Sequence, residues 1–436
     1  MIIITFAELS MTSRLFKLIK SKEFLVFIIA FFIITIFQTN FITDLSASRI
    51  MTIQALIEHN TFAIDDIEFF KTIDKIYYNG HFYSSKPPFI SIIGAGAYFL
   101  YRLFTGNEFG LPAYFVIKLF TVILPFSLLL LFFYKSLQWQ DIPKTIRFII
   151  PFLLGFATIL FPYSVILQNH TMSTFLIFLS FYCILKNKLN GYKKYLIFLS
   201  GLFASLSVTT EFVQSSLILF VFSLYLIFTL KQKSDIKWFL LGCAPIAILY
   251  IIYNLHTNGS FLPPYANFDS LYGYEDSYWK NPTGIDAYDH PKWLYFFNIL
   301  FGTHGLFIYS PILIFGFIGL YKTIKDKTNQ LHDIAIMLGA SIVLVIFMIG
   351  FFTYNYGGTT FGMRWLIIIY PLIMFFMATT ISKIKKPQYI IILSFIIILS
   401  ILLNYSGMHH KWFLTEFTIN GIQMASPLLD IIRINF

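Results

Sequence analysis

An aspartate near the start of the chain is the first residue whose type and position suggest chemistry. Asp44 lies in the segment TDLSASR, residues 43–49, six residues beyond an apolar run over 24–38. A carboxylate at a membrane–water boundary can accept a proton from a hydroxyl nucleophile or hold a cation. The structural alternative is that Asp44 caps a helix over 45–58, because aspartate is a favoured N-cap residue. The position of Asp44 leaves both interpretations open.

A lysine directly before two prolines is the second candidate. Residues 79–88 read NGHFYSSKPP, in which Asn-Gly predicts a turn and Lys86 opens an apolar segment. A residue before proline avoids the helical region, so Lys86 is expected to be extended. Its ammonium group suits a lipid phosphate. The alternative is that Lys86 snorkels, placing its charge in water at the membrane surface, as lysines there often do. His81 and Tyr83 belong to the same stretch and are predicted to bind substrate with Lys86.

A glycine-rich segment with an arginine is the third candidate. Residues 354–365 read YNYGGTTFGMRW, and the arginine is Arg364. Glycines let the backbone approach a ligand closely, and a guanidinium group can bind phosphate through two parallel hydrogen bonds. The alternative is that Arg364 and Trp365 anchor the next helix at the membrane surface.

Three further polar residues stand at the outer ends of predicted membrane spans: His170, Glu211 and Asn254. A carboxylate such as Glu211 is costly there unless it has a partner or water. His170 has the alternative role of a helix cap or structural donor, and Asn254 is expected to shape the same cavity. His409-His410 lacks further ligands at metal-binding spacing, so no metal or other cofactor is expected. The sequence also lacks a nucleotide-hydrolase phosphate loop.

The composition shows which elements must position these residues. The chain has 436 residues, of which 57% are hydrophobic and 12% are charged, whereas an average soluble domain carries roughly 25% charged residues. The formal charge of +10 does not indicate nucleic acid, because the basic residues are scattered in short clusters. Cys183 and Cys243 both lie in apolar runs, which supports neither a disulfide framework nor a zinc site.

Apolar runs of about 20 residues cross a bilayer, and they must be helical because unpaired backbone amides are too costly in lipid. About eleven spans are predicted, near 24–38, 113–134, 147–164, 171–185, 195–211, 213–230, 238–253, 305–321, 334–352, 365–381 and 389–404.

The lysine and arginine distribution orients these spans. With the N-terminus in the cytoplasm, the inner segments hold 20 of the 31 basic residues and 6 of the 21 acidic ones. Arg14, Lys17 and Lys20 contribute to the first inner cluster. The first run lacks a small-residue cleavage site and is interpreted as a retained signal anchor. The predicted location is the plasma or inner membrane, with the polar candidate residues facing outward.

Residues 87–105 are apolar enough to span, but a span there would place the later basic clusters outside. We therefore expect a helix that lies at the outer interface or re-enters the membrane. This leaves a single transmembrane domain, 1–436, with a first outer loop at 39–112 and a second at 254–304. The second loop is rich in tyrosine and tryptophan, including Tyr272, which suits stacking on a sugar ring. Residues 405–436 are too few for a soluble C-terminal domain.

The order of these motifs resembles that of the polytopic GT-C glycosyltransferases. The nearest branch groups protein O-mannosyltransferases with the aminoarabinose transferase of lipid A. The matching pieces are residues 44–49, 64–66, 74–88, 305–311 and 357–364. The resemblance implies an all-α, polytopic transmembrane helix bundle with a long outer loop that carries juxtamembrane helices. It also implies that Asp44 is the essential carboxylate and that Lys86 contacts the donor phosphate. Leu45 departs from the family, in which many members have a second acidic residue at this position.

The sequence thus predicts a membrane glycosyltransferase that moves a sugar from a polyprenyl-phosphate donor to a lipid, glycan or protein acceptor, with inversion. Asp44 is the expected catalytic residue, and the expected substrate-binding residues are Lys86, Arg364, Arg49, Tyr83, His81, His170, Glu211 and Asn254. One alternative is a lipid-sugar flippase or proton-coupled transporter that uses Asp44 or Glu211. A polysaccharide polymerase or ligase is another, although such enzymes usually carry their basic residues in one large late outer loop.

Overall fold

The computed structural model describes residues 21–67, 70–266, 273–353, 355–410, 415–419 and 422–429. Arg14, Lys17 and Lys20 of the predicted inner cluster lie outside the described residues, as does Tyr272 of the second outer loop.

The described chain is a bundle of helices with two small hairpins, which confirms the all-α prediction. The helices are Lys22–Ile36 (α1), Asp44–Gln54 (α2), Phe89–Thr105 (α3), Leu111–Lys118 (α4), Leu124–Ser136 (α5), Lys144–Phe156 (α6), Leu160–Tyr163 (α7), His170–Leu189 (α8), Lys194–Val208 (α9), Phe212–Thr229 (α10), Ile236–Asn258 (α11), Lys292–Leu300 (α12), Leu306–Tyr309 (α13), Leu313–Lys325 (α14), His332–Phe352 (α15), Tyr370–Met374 (α16), Met377–Ile381 (α17) and Pro387–His410 (α18).

Six helical segments among the described residues are long and apolar enough to cross a membrane: Leu111–Trp139, His170–Leu189, Phe212–Thr229, Lys233–Asn258, His332–Phe352 and Pro387–His409. Shorter apolar helices occur at Phe89–Thr105, Lys194–Val208 and Arg364–Met374. Helices α11 and α18 expose large apolar side chains, such as Leu249 and Ile391, as lipid-facing helices do. The figure of about eleven spans stays a prediction.

The first outer loop begins with α2, which is buried along almost its whole length. The hydroxyl of Thr43 accepts a hydrogen bond from the Ser46 amide at 3.1 Å, so Thr43 is the N-cap. The alternative interpretation of Asp44 as the cap is therefore wrong, and Asp44 is instead the first helical residue. The Ser46 hydroxyl donates to the Leu167 carbonyl at 2.9 Å, which ties α2 to the turn before α8.

Helix α3 covers most of the segment that was expected to lie at the interface or re-enter. It buries one side, with Ile90 and Tyr98, and exposes the other, with Leu103 and Phe104. The buried side packs against α2 and α4. This one-sided burial is that of a helix at the periphery of the bundle, and its position at the interface stays a prediction.

Two hairpins complete the outer region. Strands β1 (Lys75–Tyr78) and β2 (His81–Ser84) pair antiparallel around Asn79-Gly80, both of which have positive φ, so the predicted turn is confirmed. Strands β3 (Thr415–Ile419) and β4 (Ile422–Ser426) form a second hairpin, which the sequence analysis missed. The Gln423 carbonyl of β4 lies 2.7 Å from His290 Nε2, so this hairpin packs on the second outer loop.

Candidate functional site

The β1–β2 hairpin brings Lys86 back to Asp74. Asp74 directly precedes β1 and Lys86 closely follows β2, and Lys86 Nζ lies 2.7 Å from Asp74 Oδ1. The Ser48 hydroxyl of α2 contacts the Asp74 carbonyl at 2.6 Å and the Ser84 hydroxyl at 2.6 Å, which holds the hairpin on α2. Burial lowers the pKa of Lys86, and the Asp74 carboxylate opposes that shift.

Arg49 is a fully buried cation on α2, with 1% of its surface exposed. Its Nη2 donates to Asn169 Oδ1 at 3.2 Å, and its Nη1 donates to the Leu45 carbonyl at 3.4 Å. The net pKa of Arg49 is lowered to about 10. Burial is the main cause and the charge of Arg364 adds to it, whereas the charge of Asp74 opposes it. Arg49 therefore remains a guanidinium cation at neutral pH.

Arg364 approaches the same region from the glycine-rich segment. Gly357, Gly358 and Gly362 all have positive φ, so this turn uses conformations that other residues adopt only with strain. A Cβ on Gly357 would lie 3.1 Å from Arg364 Nε, which shows how closely the turn packs on the arginine. The charge of Arg364 acts on both Arg49 and Lys86, so three cations from distant parts of the sequence lie within electrostatic range of one another.

Asp286 joins this charge cluster from the second outer loop. Tyr278 donates its hydroxyl to Asp286 Oδ2 at 3.2 Å, and Asn355 Nδ2 donates to Oδ1 at 3.2 Å. Burial raises the pKa of Asp286, whereas the charges of Arg364 and Lys86 lower it. Asp286 therefore connects the second outer loop to the turn that carries Arg364.

His170 and Glu211 form a buried pair at the N-terminal ends of α8 and α10. His170 Nδ1 lies 3.1 Å from Glu211 Oε1, and the Ser173 hydroxyl donates to Glu211 Oε2 at 2.6 Å. This arrangement supplies the partner that a carboxylate at this position requires. Arg49 and Arg364 both lie within electrostatic range of His170, so the pair borders the cations.

Asp44 stands at the edge of this region with its side chain exposed. Its Oδ1 accepts a hydrogen bond from the Ile73 amide at 3.2 Å, and its carbonyl accepts one from the Thr72 hydroxyl at 2.8 Å. Asp44 therefore contacts the segment that leads directly into Asp74. Its catalytic role stays a prediction.

Three of the predicted substrate-binding residues make local structural contacts. His81 is exposed and its Nδ1 lies 3.1 Å from Asp65 Oδ2, and Tyr83 packs with Ile76 in the hairpin. Asn254 Nδ2 donates to the Phe261 carbonyl at 3.2 Å. The structure brings Lys86, Arg49, Arg364, His170 and Glu211 together, but it gives these three residues local structural contacts.

Asp74, Asn169 and Asp286 are members of the cluster that were not predicted from the sequence. Asp74 stood within a quoted motif, and its placement beside a tight hairpin was the available signal. Asp286 gave no such signal, because its position depends on the fold of a long loop. Within the ranges that the structure describes, no group of three His, Cys, Asp or Glu residues could hold a metal ion.

No protein-family model matches the sequence, and no curated protein is significantly similar to it. The fold is nevertheless similar to solved structures. ArnT from Cupriavidus metallidurans in the apo state matches with a TM-score of 0.53 and 11% identity over 83% of this chain. The same protein bound to undecaprenyl phosphate matches with a TM-score of 0.54 and 12% identity, again over 83% of this chain.

The archaeal oligosaccharyltransferase AglB from Archaeoglobus fulgidus, in complex with an inhibitory peptide and a dolichol-phosphate, matches with a TM-score of 0.53 and 11% identity over 90% of this chain. The match covers 59% and 60% of the two ArnT chains and 56% of AglB, so this chain spans under two thirds of their length. ArnT and AglB are both GT-C glycosyltransferases. The chain therefore has a GT-C-like fold, that of a polytopic membrane helix bundle.

Proposed function

We propose that this chain is a membrane glycosyltransferase that takes a sugar from a polyprenyl-phosphate donor. The observation that carries the proposal is the convergence of Arg49, Lys86 and Arg364 from three distant segments within one GT-C-like fold. Guanidinium and ammonium groups are the side chains that bind phosphate most strongly. Grouping such cations in a partly buried place is costly unless an anion shares the site.

The acidic residues of the cluster have hydrogen-bond partners of their own, which leaves the cations able to bind a phosphate. Glu211 is bonded to His170 and Ser173, and Asp286 is bonded to Tyr278 and Asn355. Asp74 Oδ1 lies 2.7 Å from Lys86 Nζ and so pairs with that cation. A donor phosphate would therefore bind to cations that neighbouring carboxylates help to position.

The solved neighbours support the class of donor. ArnT has been solved bound to undecaprenyl phosphate, and AglB in complex with a dolichol-phosphate. Both ligands join a long prenyl chain to a phosphate. The same chemistry fits the proposed site here, with cations beside a lipid-facing bundle.

An apolar groove supports a place for part of the prenyl tail. It has a volume of about 500 Å³ and runs along α14, between Phe301 at its outer end and Tyr321 further down the helix. Tyr309, on the short helix α13 beside this groove, contacts Gly362 in the turn that carries Arg364. A tail in this groove would keep the phosphate near the outer loops.

The proposed reaction follows from these positions. Asp44 accepts a proton from an acceptor hydroxyl or amine, whose heteroatom attacks the anomeric carbon. The bond between that carbon and the phosphate oxygen breaks, and its electron pair leaves with the polyprenyl phosphate. Attack opposite the leaving group inverts the anomeric centre. The cations stabilise the charge that builds on the departing phosphate, so the chemistry requires no metal.

The direct test uses purified protein in liposomes with a labelled panel of undecaprenyl-phosphate monosaccharides and mixed lipid, glycan and peptide acceptors. The wild type should release undecaprenyl phosphate and label an acceptor. Lys86→Ala should reduce this transfer by about tenfold to a hundredfold, since a charged hydrogen bond to phosphate contributes about 1.5–3 kcal/mol. Lys71→Ala, a change at an exposed lysine of the same loop, is the matched control and should be silent.

Two results would contradict the proposal. One is a wild type that consumes no donor of the panel. The other is movement of the intact lipid-linked sugar, or of protons, across the liposome without transfer, which would indicate a flippase or transporter.

A further inference from the structure

The turn before α8 holds polar side chains that are buried without a partner. Gln168 is 0% exposed, and within the described part of the chain neither its amide oxygen nor its amide nitrogen has a hydrogen-bond partner. His170 Nε2, two residues later, is also buried without a hydrogen-bond partner among the described residues. Buried polar atoms are nearly always satisfied in folded proteins, so two such side chains together mark a place for a water molecule or a polar ligand.

This turn is held firmly, so the unpartnered atoms are not the result of a loose loop. Gln38 Nε2 donates to the Ser164 carbonyl at 2.9 Å, and the Thr39 amide donates to the Val165 carbonyl at 3.0 Å. The Ser46 hydroxyl donates to the Leu167 carbonyl at 2.9 Å. The segment before α2 and α2 itself thus fix the backbone of residues 164–167, which directly precede Gln168.

The orientation of His170 follows from its partner. A carboxylate only accepts hydrogen bonds, so the contact with Glu211 places the proton of the imidazole on Nδ1. Nε2 then carries a lone pair and accepts a hydrogen bond. The unpartnered atoms together are therefore two acceptors, His170 Nε2 and Gln168 Oε1, and one donor, Gln168 Nε2.

The same turn borders the cations to which the donor phosphate is assigned. Asn169, between Gln168 and His170, accepts the hydrogen bond from Arg49 at 3.2 Å. Arg364 also acts electrostatically on His170. In the donor the phosphate joins an apolar prenyl chain on one side to a sugar on the other. The unpartnered atoms of the turn are polar, so the sugar is the part that would reach it.

We infer that Gln168 and His170 form a subsite that binds hydroxyl groups of the donor's sugar. This inference rests on the proposed function and names the part of the donor that the site selects. Hydroxyl groups both donate and accept hydrogen bonds, which matches the mixed set of atoms. A second phosphate matches poorly, because both acceptor atoms would face its negative charge. The subsite therefore favours a sugar linked through one phosphate over a diphosphate-linked sugar.

The experiment compares the binding of two lipids by the whole protein in detergent. One is undecaprenyl phosphate, and the other is the same lipid carrying glucose, mannose, galactose or arabinose. The wild type should bind at least one sugar-bearing lipid more tightly than undecaprenyl phosphate. Gln168→Leu should reduce this preference by about tenfold, which equals one lost hydrogen bond, and should leave the Kd for undecaprenyl phosphate unchanged.

Gln168→Leu has an independent signature in stability. Its native amide has no partner to lose, so the apo variant should melt at the same temperature as the wild type or higher. Gln388→Leu makes the same chemical change at an exposed position and should alter neither binding nor melting. His170→Asn should also lower the preference for the sugar-bearing lipid.

The outcomes separate this inference from the proposed function. If the wild type binds sugar-bearing lipids preferentially and Gln168→Leu keeps that preference, or if the variant weakens both lipids equally, the sugar subsite is refuted and the transferase proposal stands. A wild type that binds neither lipid refutes the proposed function and the subsite with it.

Discussion

Lys86 Nζ lies 2.7 Å from Asp74 Oδ1, and this ion pair closes the hairpin that carries the lysine to the other cations. Both side chains are mostly buried, with 20% of Lys86 and 9% of Asp74 exposed. The carboxylate keeps the ammonium charged in a place where burial favours the neutral amine. The pair thus both closes the hairpin and keeps Lys86 charged at the proposed phosphate site.

Removing Asp74 should change the pH dependence of the reaction. Lysine is charged below its pKa; burial lowers the pKa of Lys86, and Asp74 opposes this shift. In Asp74→Asn the pKa of Lys86 should fall further, so the ammonium is lost at a lower pH. A profile of kcat/KM against pH should show its alkaline limb moved to lower pH. Adding Lys86→Arg should restore that limb, because arginine stays protonated; an unmoved limb in Asp74→Asn would contradict the role of the pair.

Gly357→Ala should impair both stability and activity. Gly357 has a φ of +86°, and a Cβ there would lie 3.1 Å from Arg364 Nε. The left-handed conformation costs an alanine about 1–2 kcal/mol, and the displaced guanidinium should reduce kcat/KM by about tenfold. Gly96→Ala is the matched control, because a Cβ there meets nothing within 4 Å on helix α3. Thermal melting and donor turnover measure the two effects, and equal behaviour of the two variants would count against this account.

Glu211→Ala should destabilise the protein strongly, because it leaves His170 and Ser173 without their buried partner. A buried donor that loses its acceptor costs about 1–3 kcal/mol, and Glu211→Ala removes the acceptor of two such donors. The exposed pair of His81 and Asp65, in which 58% and 29% of the side chains are accessible, provides the comparison. Asp65→Ala should cost about 1 kcal/mol or less. Denaturant titration in detergent measures both, and similar losses in the two variants would show that Glu211 has no special structural role.

Six long helices of the described chain could be predicted from the sequence because their apolar runs are as long as a bilayer is thick. The predicted runs 147–164, 305–321 and 365–381 instead fall on two or more shorter helices each. The sequence also predicted the turn at Asn79-Gly80 and the helix that follows Pro88, since both depend on local conformational preferences. The C-terminal hairpin was missed although the sequence TEFTINGIQMAS, residues 415–426, carries its signal, because Asn-Gly there separates two short runs with apolar residues at alternate positions. Thr43 was missed as the cap of α2 because it and Asp44 are adjacent and both favour that position.

The candidate site was accessible from the sequence only in part. Lys86, Arg364 and Glu211 could be predicted because a charged side chain beside an apolar segment is costly unless it has a partner or a function. Their neighbours did not, because pairing between residues as distant as Arg49 and Asn169 depends on how the helices pack. Gln168 carries no charge and belongs to no quoted motif, so only its burial without partners distinguishes it.

The central claim is that Asp44 serves as the carboxylate of a sugar transfer from a lipid phosphate. The most direct measurement is the rate at which purified protein in liposomes transfers sugar from a labelled undecaprenyl-phosphate monosaccharide, for the wild type and for Asp44→Asn. Asp66→Asn, at an exposed carboxylate of the same loop, is the control. We predict that Asp44→Asn slows transfer by about 10²–10⁴-fold while melting like the wild type and Asp66→Asn remains active. Transfer by Asp44→Asn at the wild-type rate would contradict the assignment of Asp44, and absence of transfer by the wild type would contradict the transferase itself.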